Sequence, residues 1–126
     1  MTDLAMQETI REVEARAPSR TMTVMLEGEI SRTEWEDVAD HLFRLAHRGI
    51  TQVVIDFSGV SHVDYRAVRP LIARTEVFRK AGGDVRLSGL SPYVHAIFRS
   101  AGANEAFDYF SDAQTAVESF DRRRVA

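Results

Sequence analysis

The chain has 126 residues, which suits one domain with a real core, and its 44% hydrophobic and 28% charged residues are ordinary for a globular protein. A net charge of −3 supplies no field for holding nucleic acid or an anionic membrane surface. Cysteine is absent, which excludes disulfides, thiolate metal sites and a cysteine nucleophile and fits a reducing compartment.

The N-terminal MTDLAMQETIREVEARA carries acidic residues and lacks the apolar core of a signal peptide. No stretch approaches the roughly 18 apolar residues of a membrane span. A cytoplasmic protein with no membrane insertion is the expectation. Residues 7–17 read as a strand. Ile10, Val13 and Ala17 also fit helical spacing, but the segment is short, charged and followed by the turn signal APSR. A strand here gives a hairpin its first arm and covers a sheet edge. TMTVMLEGEI (21–30) is the second arm, with Met22, Val24 and Leu26 on one face and Thr21, Thr23 and Met25 on the other.

SRTEWEDVADHLFRLAHRG (31–49) predicts a helix. Ser31 with Glu34, or Thr33 with Glu36, can form a capping box. Trp35, Val38, Ala39, Leu42 and Ala46 make an apolar stripe, and Gly49 sits where a left-handed C-terminal cap is wanted. TQVVIDFSGV (51–60) is a nearly continuous β-branched run, the mark of a central strand buried on both faces. A helix over roughly 68–81 turns Val68, Leu71, Ile72, Thr75 and Phe78 inward and stops at Gly82-Gly83. DVRLSGL is a strand. Ser91 and Pro92 are a favoured N-cap and first-turn pair for a helix with Val94, Ile97, Phe98 and Ala101 inward. FDYF (107–110) is a short strand, and Ser111 with Gln114 caps a last helix bearing Ala113, Ala116, Val117 and Phe120. DRRRVA reads as a frayed tail. The fold class is therefore α/β: a single mixed sheet that starts with a β-hairpin and continues through β-α crossovers, with helices packed against it. The whole chain, 1–126, is expected to be one domain with its core over about 21–120.

Four segments in this order, LEGEI, VVIDFSGVSHVD, KAGGDVRLSGLSPYVHAIFRSAG and FDYFSDAQTAVESF, resemble the STAS domain family (sulfate transporter and anti-sigma factor antagonist). The likeness runs from about Thr21 to Phe120. The resemblance implies a non-enzymatic regulator without cofactor. Free-standing members bind an anti-sigma factor that is also a serine kinase, and phosphorylation of a serine in an Asp-Ser-Ser-Gly turn ends that binding. Others act in signalling assemblies, in anion transporters or beside lipid-transport ATPases. In VSHVDYRAVRP (60–70), Asp64 matches the family's aspartate. Tyr65 falls on the first serine, Arg66 on the phosphorylatable serine and Ala67 on the glycine. Arg66 accepts no phosphate, so the kinase-controlled switch is not expected here.

On the residues themselves, Asp64 suits an N-cap and also a partner contact. Arg66 suits a solvated loop, or a fixed cation that docks a carboxylate bidentately. Tyr65 suits an interface anchor or a lid over the sheet end. Pro70 lacks an N–H and restrains Arg69 from helical angles, which predicts that the helix starts late or kinks and that the 61–69 loop is longer than in relatives. Asp64, Tyr65, Arg66, Ala67 and Arg69 are the expected partner-binding residues, with Arg74 and Glu76 at the rim. Ser58 and Ser61 are the remaining hydroxyls nearby. Asp56 is expected to accept backbone N–H bonds at the strand end. His41, His47, His62 and His95 form no metal-ligand spacing. No phosphate loop and no catalytic triad order is present. The expected partner is a protein, possible alternatives being a small anion or nucleotide or a second copy of the chain. The three arginines of DRRRVA are read as solvent-facing rather than as a nucleic-acid contact.

Overall fold

A computed structural model of the chain describes residues 9–15 and 20–125, without side chains beyond Asp121. Strand β1 (Ile10–Ala15) pairs antiparallel with β2 (Thr21–Ile30), Ile10 opposite Leu26 and Ala15 opposite Thr21. β3 (Gln52–Val63), β4 (Asp84–Ser88) and β5 (Tyr109–Phe110) follow in parallel, each beside the last, in the order β1-β2-β3-β4-β5. The helices are α1 (Arg32–His47), α2 (Val68–Lys80), α3 (Pro92–Ser100) and α4 (Ala113–Val125). This is the expected architecture of a hairpin feeding β-α crossovers. The strand reading of 7–17 holds for Ile10–Ala15. Residues 7, 8, 16 and 17, and most of the APSR turn, lie outside the described residues.

Alternation along the strands builds two unlike faces. Met22, Val24 and Leu26 of β2, Val53, Ile55 and Phe57 of β3, and Val85 and Leu87 of β4 form one apolar layer. α1, α2 and α3 cover it with Trp35, Val38, Leu42, Leu45, Val68, Leu71, Phe78, Val94 and Phe98. Each such side chain contributes about 1.5–3 kcal/mol by leaving water. On the other face Val54 meets Ala116 and Phe120 of α4 in a small apolar cluster. Around it lie buried polar groups: Thr21, Thr23, Asp56, Asp84, Arg86 and Ser88. Val53, Val54 and Ile55 are all fully buried, as a strand covered on both faces requires.

The ends of the elements follow local chemistry. Of the two candidate capping boxes on α1, Ser31 and Glu34 form the one used, the Ser31 amide donating to Glu34 Oε1 at 3.1 Å. The Ser31 contact also lowers the Glu34 carboxyl pKa. At the end of α2, a Cβ on Gly83 would sit 1.9 Å from the Thr51 carbonyl oxygen, so only glycine lets the chain turn into β4 here. Ser91 accepts from the Val94 amide at 3.1 Å, with Pro92 in the first turn of α3.

Four expectations are corrected. The α4 cap is Asp112, which accepts from the Thr115 amide at 2.8 Å; the Ser111 hydroxyl donates to Asp112 instead. The tail expected to fray from Asp121 is helical to Val125, while the side chains of its arginines lie outside the description. The FDYF strand is trimmed to Tyr109–Phe110. β3 does not stop at Val60 but runs to Val63. Its pairing with β2 passes from Met25↔Asp56 to Glu27↔Gly59, and from Gly28↔Val60 to Glu29↔His62. At both places β3 carries an extra residue. Two bulges therefore shift which side chains face inward, and a fixed period of two loses the strand there.

Candidate functional site

The bulged end of β3 delivers the chain to the corner that precedes α2. Val63 is buried opposite Ile30, and the Asp64 amide donates to the Ile30 carbonyl at 3.0 Å, so the ladder holds until the turn begins. Tyr65–Ala67 then form one turn of 3₁₀ helix with Asp64 as its cap. The Asp64 Oδ1 accepts from the Arg66 amide at 2.9 Å, and the Ala67 amide donates to the Asp64 carbonyl at 3.0 Å. α2 starts at Val68, so Pro70 sits in the first turn, where no intrahelical acceptor awaits its missing N–H. The late helix start is borne out. Strand, turn and helix follow one another almost directly, and Arg69 is helical despite the proline after it.

Arg66 does not project as a free cation. Its Nε donates to Asp64 Oδ1 at 3.1 Å and its Nη2 to Asp64 Oδ2 at 2.9 Å. One carboxylate thus caps the turn and grips the guanidinium two residues on. The Arg66 side chain, then its backbone N–H, hold the Asp64 carboxyl down to about 2, and Asp64 in turn raises the Arg66 pKa. The pair is fixed yet accessible, since the Arg66 side chain is 70% exposed.

The other expected residues are placed around this pair. Tyr65 stands out at 63% exposed and does not lie flat over the sheet end. Ala67 is half-buried against the main core. Arg69 faces a shallow hollow shared with Tyr65, Arg66, Ser100, Ala101 and Gly102. Arg74 lines a groove against α1 that Asp64, Arg66 and Ala67 also line, and Glu76 is taken up by Arg79 at 3.1 Å. Arg69 and Arg74 thus each share a hollow with residues of the corner, whereas Glu76 lines neither. Ser61 is exposed, whereas the Ser58 hydroxyl donates to Asp56. Asp56 accepts from the hydroxyls of Ser58 and Ser88, the latter at 2.8 Å, and only distantly from an amide, so hydroxyls replace the backbone donors expected for it.

Two aromatic neighbours at the corner were not singled out by sequence reasoning. The His62 ring stacks on Tyr93 with centroids 5.7 Å apart, and its Nδ1 lies 2.7 Å from the Tyr93 hydroxyl. Tyr93, in the first turn of α3, is 56% exposed. With Tyr65, Asp64 and Arg66 these two line one open hollow of about 540 Å³. The signal for Tyr93 was present: Ser91-Pro92 fixes the helix start, Val94 and Phe98 fix its inward face, and Tyr93 falls outside that face. The arrangement offers aromatic faces, a fixed ion pair and a depression. Among the described residues no cluster could hold a metal ion.

Comparison with known proteins places this architecture. The profile of the STAS domain matches residues 12–116, and the chain belongs to the STAS domain family. Among curated proteins no relative matches. Solved structures with the same fold include a serine-to-glutamate variant of RsbS from Moorella thermoacetica, at 16% identity and TM-score 0.76, covering 93% of this chain and 98% of that one. An anti-sigma-factor antagonist (STAS) domain protein from Planctomyces limnophilus is similar at 18% identity and TM-score 0.74, over 87% and 96% of the two chains. The Bacillus cell fate determinant SpoIIAA in its phosphorylated form is similar at 17% identity and TM-score 0.65, over 87% and 99%.

Proposed function

We propose that the chain is a non-enzymatic, cytoplasmic regulator of the anti-sigma-factor-antagonist type that binds a protein partner at the 64–69 corner and is not switched by serine phosphorylation. One observation carries this reading: Asp64 grips Arg66 in a fixed ion pair, at the position where the resemblance to the family puts the acceptor serine. A rigid, charged turn beside exposed tyrosines suits docking, because Tyr and Arg supply large contact area and directed hydrogen bonds with little ordering left to do. The related structures described as anti-sigma factor antagonists support the class of partner. The likeness to a phosphorylated form supports the contrast, since this chain has no hydroxyl at that place. The alternative of a small anion or nucleotide held by Arg66 is weakened, because Asp64 already neutralises that guanidinium.

The test is capture of partners from the protein's own cells with tagged wild type, Tyr65→Ala, Arg66→Ser and Arg66→Glu. The expected result is a serine-kinase anti-sigma factor with wild type, lost with Tyr65→Ala and Arg66→Glu, and no phosphate incorporated into wild type by that kinase. Binding of every partner by all three variants as by wild type would remove the corner from the interface. Recovery of only the chain itself, with a dimer in light scattering, would favour a self-associating scaffold.

A further inference from the structure

On the corner side of the main face α1 and α2 leave a groove of about 430 Å³ between them. That volume lies within the range of small-molecule sites. Its floor is apolar, made by Val38, Leu42, Leu71 and the indole of Trp35. Its rim is charged, with Arg32 and Glu36 from α1, Arg74 from α2, and the Asp64–Arg66 pair.

Two features of the groove lack an internal explanation. Trp35 is only 7% exposed, yet its Nε1–H has no hydrogen-bond partner. A buried donor left unpaired costs about 1–3 kcal/mol. Arg32 and Arg74 likewise have no ion-pair or hydrogen-bond partner among the described residues. Three guanidiniums face two carboxylates around the opening, an excess of one positive charge. A monoanion neutralises that excess. A nucleoside triphosphate overloads it and finds an apolar floor where its ribose and phosphates need polar partners.

We propose that this groove binds a small apolar monocarboxylate, with its hydrocarbon body on the Val38–Leu42–Leu71 floor and its carboxylate toward Arg32 and Arg74. The site goes beyond partner docking at the corner and does not depend on it, although the two share Asp64 and Arg66 as a common wall.

Trp35 is the only tryptophan, so its emission reports on the groove alone. The experiment titrates the full chain with decanoate, decanol and ATP in one buffer. The expected result is a saturable change in Trp35 emission with decanoate, binding of decanol at least tenfold weaker, and no response to ATP. Arg32→Gln with Arg74→Gln is expected to keep the wild-type circular dichroism and melting temperature and to weaken decanoate at least tenfold; Arg74→Gln alone serves should the double variant unfold. No saturable response to decanoate at millimolar concentration overturns the proposal. So do equal affinity for decanol, tighter binding of ATP, or unchanged decanoate binding in the folded arginine variants.

Discussion

Two Asp-x-Arg pairs of the chain, Asp64 with Arg66 and Asp84 with Arg86, are used by the fold in opposite ways. In β4 the two residues lie on one face of a strand, beneath α4. The Arg86 side chain is 3% exposed, and its Nε lies 3.2 Å from Asp84 Oδ2. Its Nη1 donates to Ser119 at 2.6 Å, and its guanidinium carbon sits 4.0 Å from the centre of the Phe120 ring. At the corner the same spacing falls on a 3₁₀ turn. There the aspartate caps the backbone while the arginine lies in solvent. The buried pair fastens a helix to a polar sheet face. The exposed pair shapes a surface. Spacing alone does not assign the role; the backbone beneath the pair and the element above it do.

The largest effect that separates the two pairs is expected in stability. Arg86→Ala removes the guanidinium from a closed site, where breaking a buried pair costs about 3–5 kcal/mol. The lower end applies, because Asp84 keeps Arg79 at 2.8 Å and the Val85 amide at 2.9 Å. A urea melt should therefore show a loss of about 3 kcal/mol. Arg86→Met should recover the packing over Phe120 but stay short of wild type, because it too leaves Asp84 without this partner. A loss below about 0.5 kcal/mol for Arg86→Ala, the range of ordinary surface substitutions, would mean that α4 is held by Ala116 and Phe120 without the polar network.

The same contrast explains what was legible in the sequence. The main face was readable because Trp35, Val38 and Leu42, or Val94 and Phe98, follow one helical period, and Met22, Val24 and Leu26 follow one strand period. The polar underside was not, because Thr21, Thr23, Asp84 and Arg86 look solvent-facing until α4 is placed over them. Asp112 was passed over in favour of Ser111 because adjacent residues of equal capping propensity cannot be ranked without the backbone. At the corner the identity of each residue was visible, but the bulges of β3 and the Asp64 grip on Arg66 are tertiary facts. An exposed arginine was expected there, and its partner two residues earlier was not. Glu76 was assigned to the same rim for want of knowing that Arg79 takes it up.

At the corner, the complementary change should barely alter stability. Arg66 is mostly exposed, and exposed ion pairs contribute only about 0–1 kcal/mol. Arg66→Ser should therefore melt as wild type does. What should move is the titration of Asp64. In wild type its carboxyl is held at about 2, first by the Arg66 side chain and then by the Arg66 amide. The folded value is depressed, so the favourable contribution of the ionised group is fully present above the ordinary carboxylate range and is lost as pH falls toward about 2. Carbon-detected NMR of the side-chain carboxyl should show this midpoint in wild type and a clear upward shift in Arg66→Ser. The shift should stop short of the ordinary carboxylate value, because the amide at residue 66 still donates to Asp64. An unchanged midpoint would mean that the backbone turn alone holds the charge, and that Arg66 is free to engage a partner's carboxylate directly.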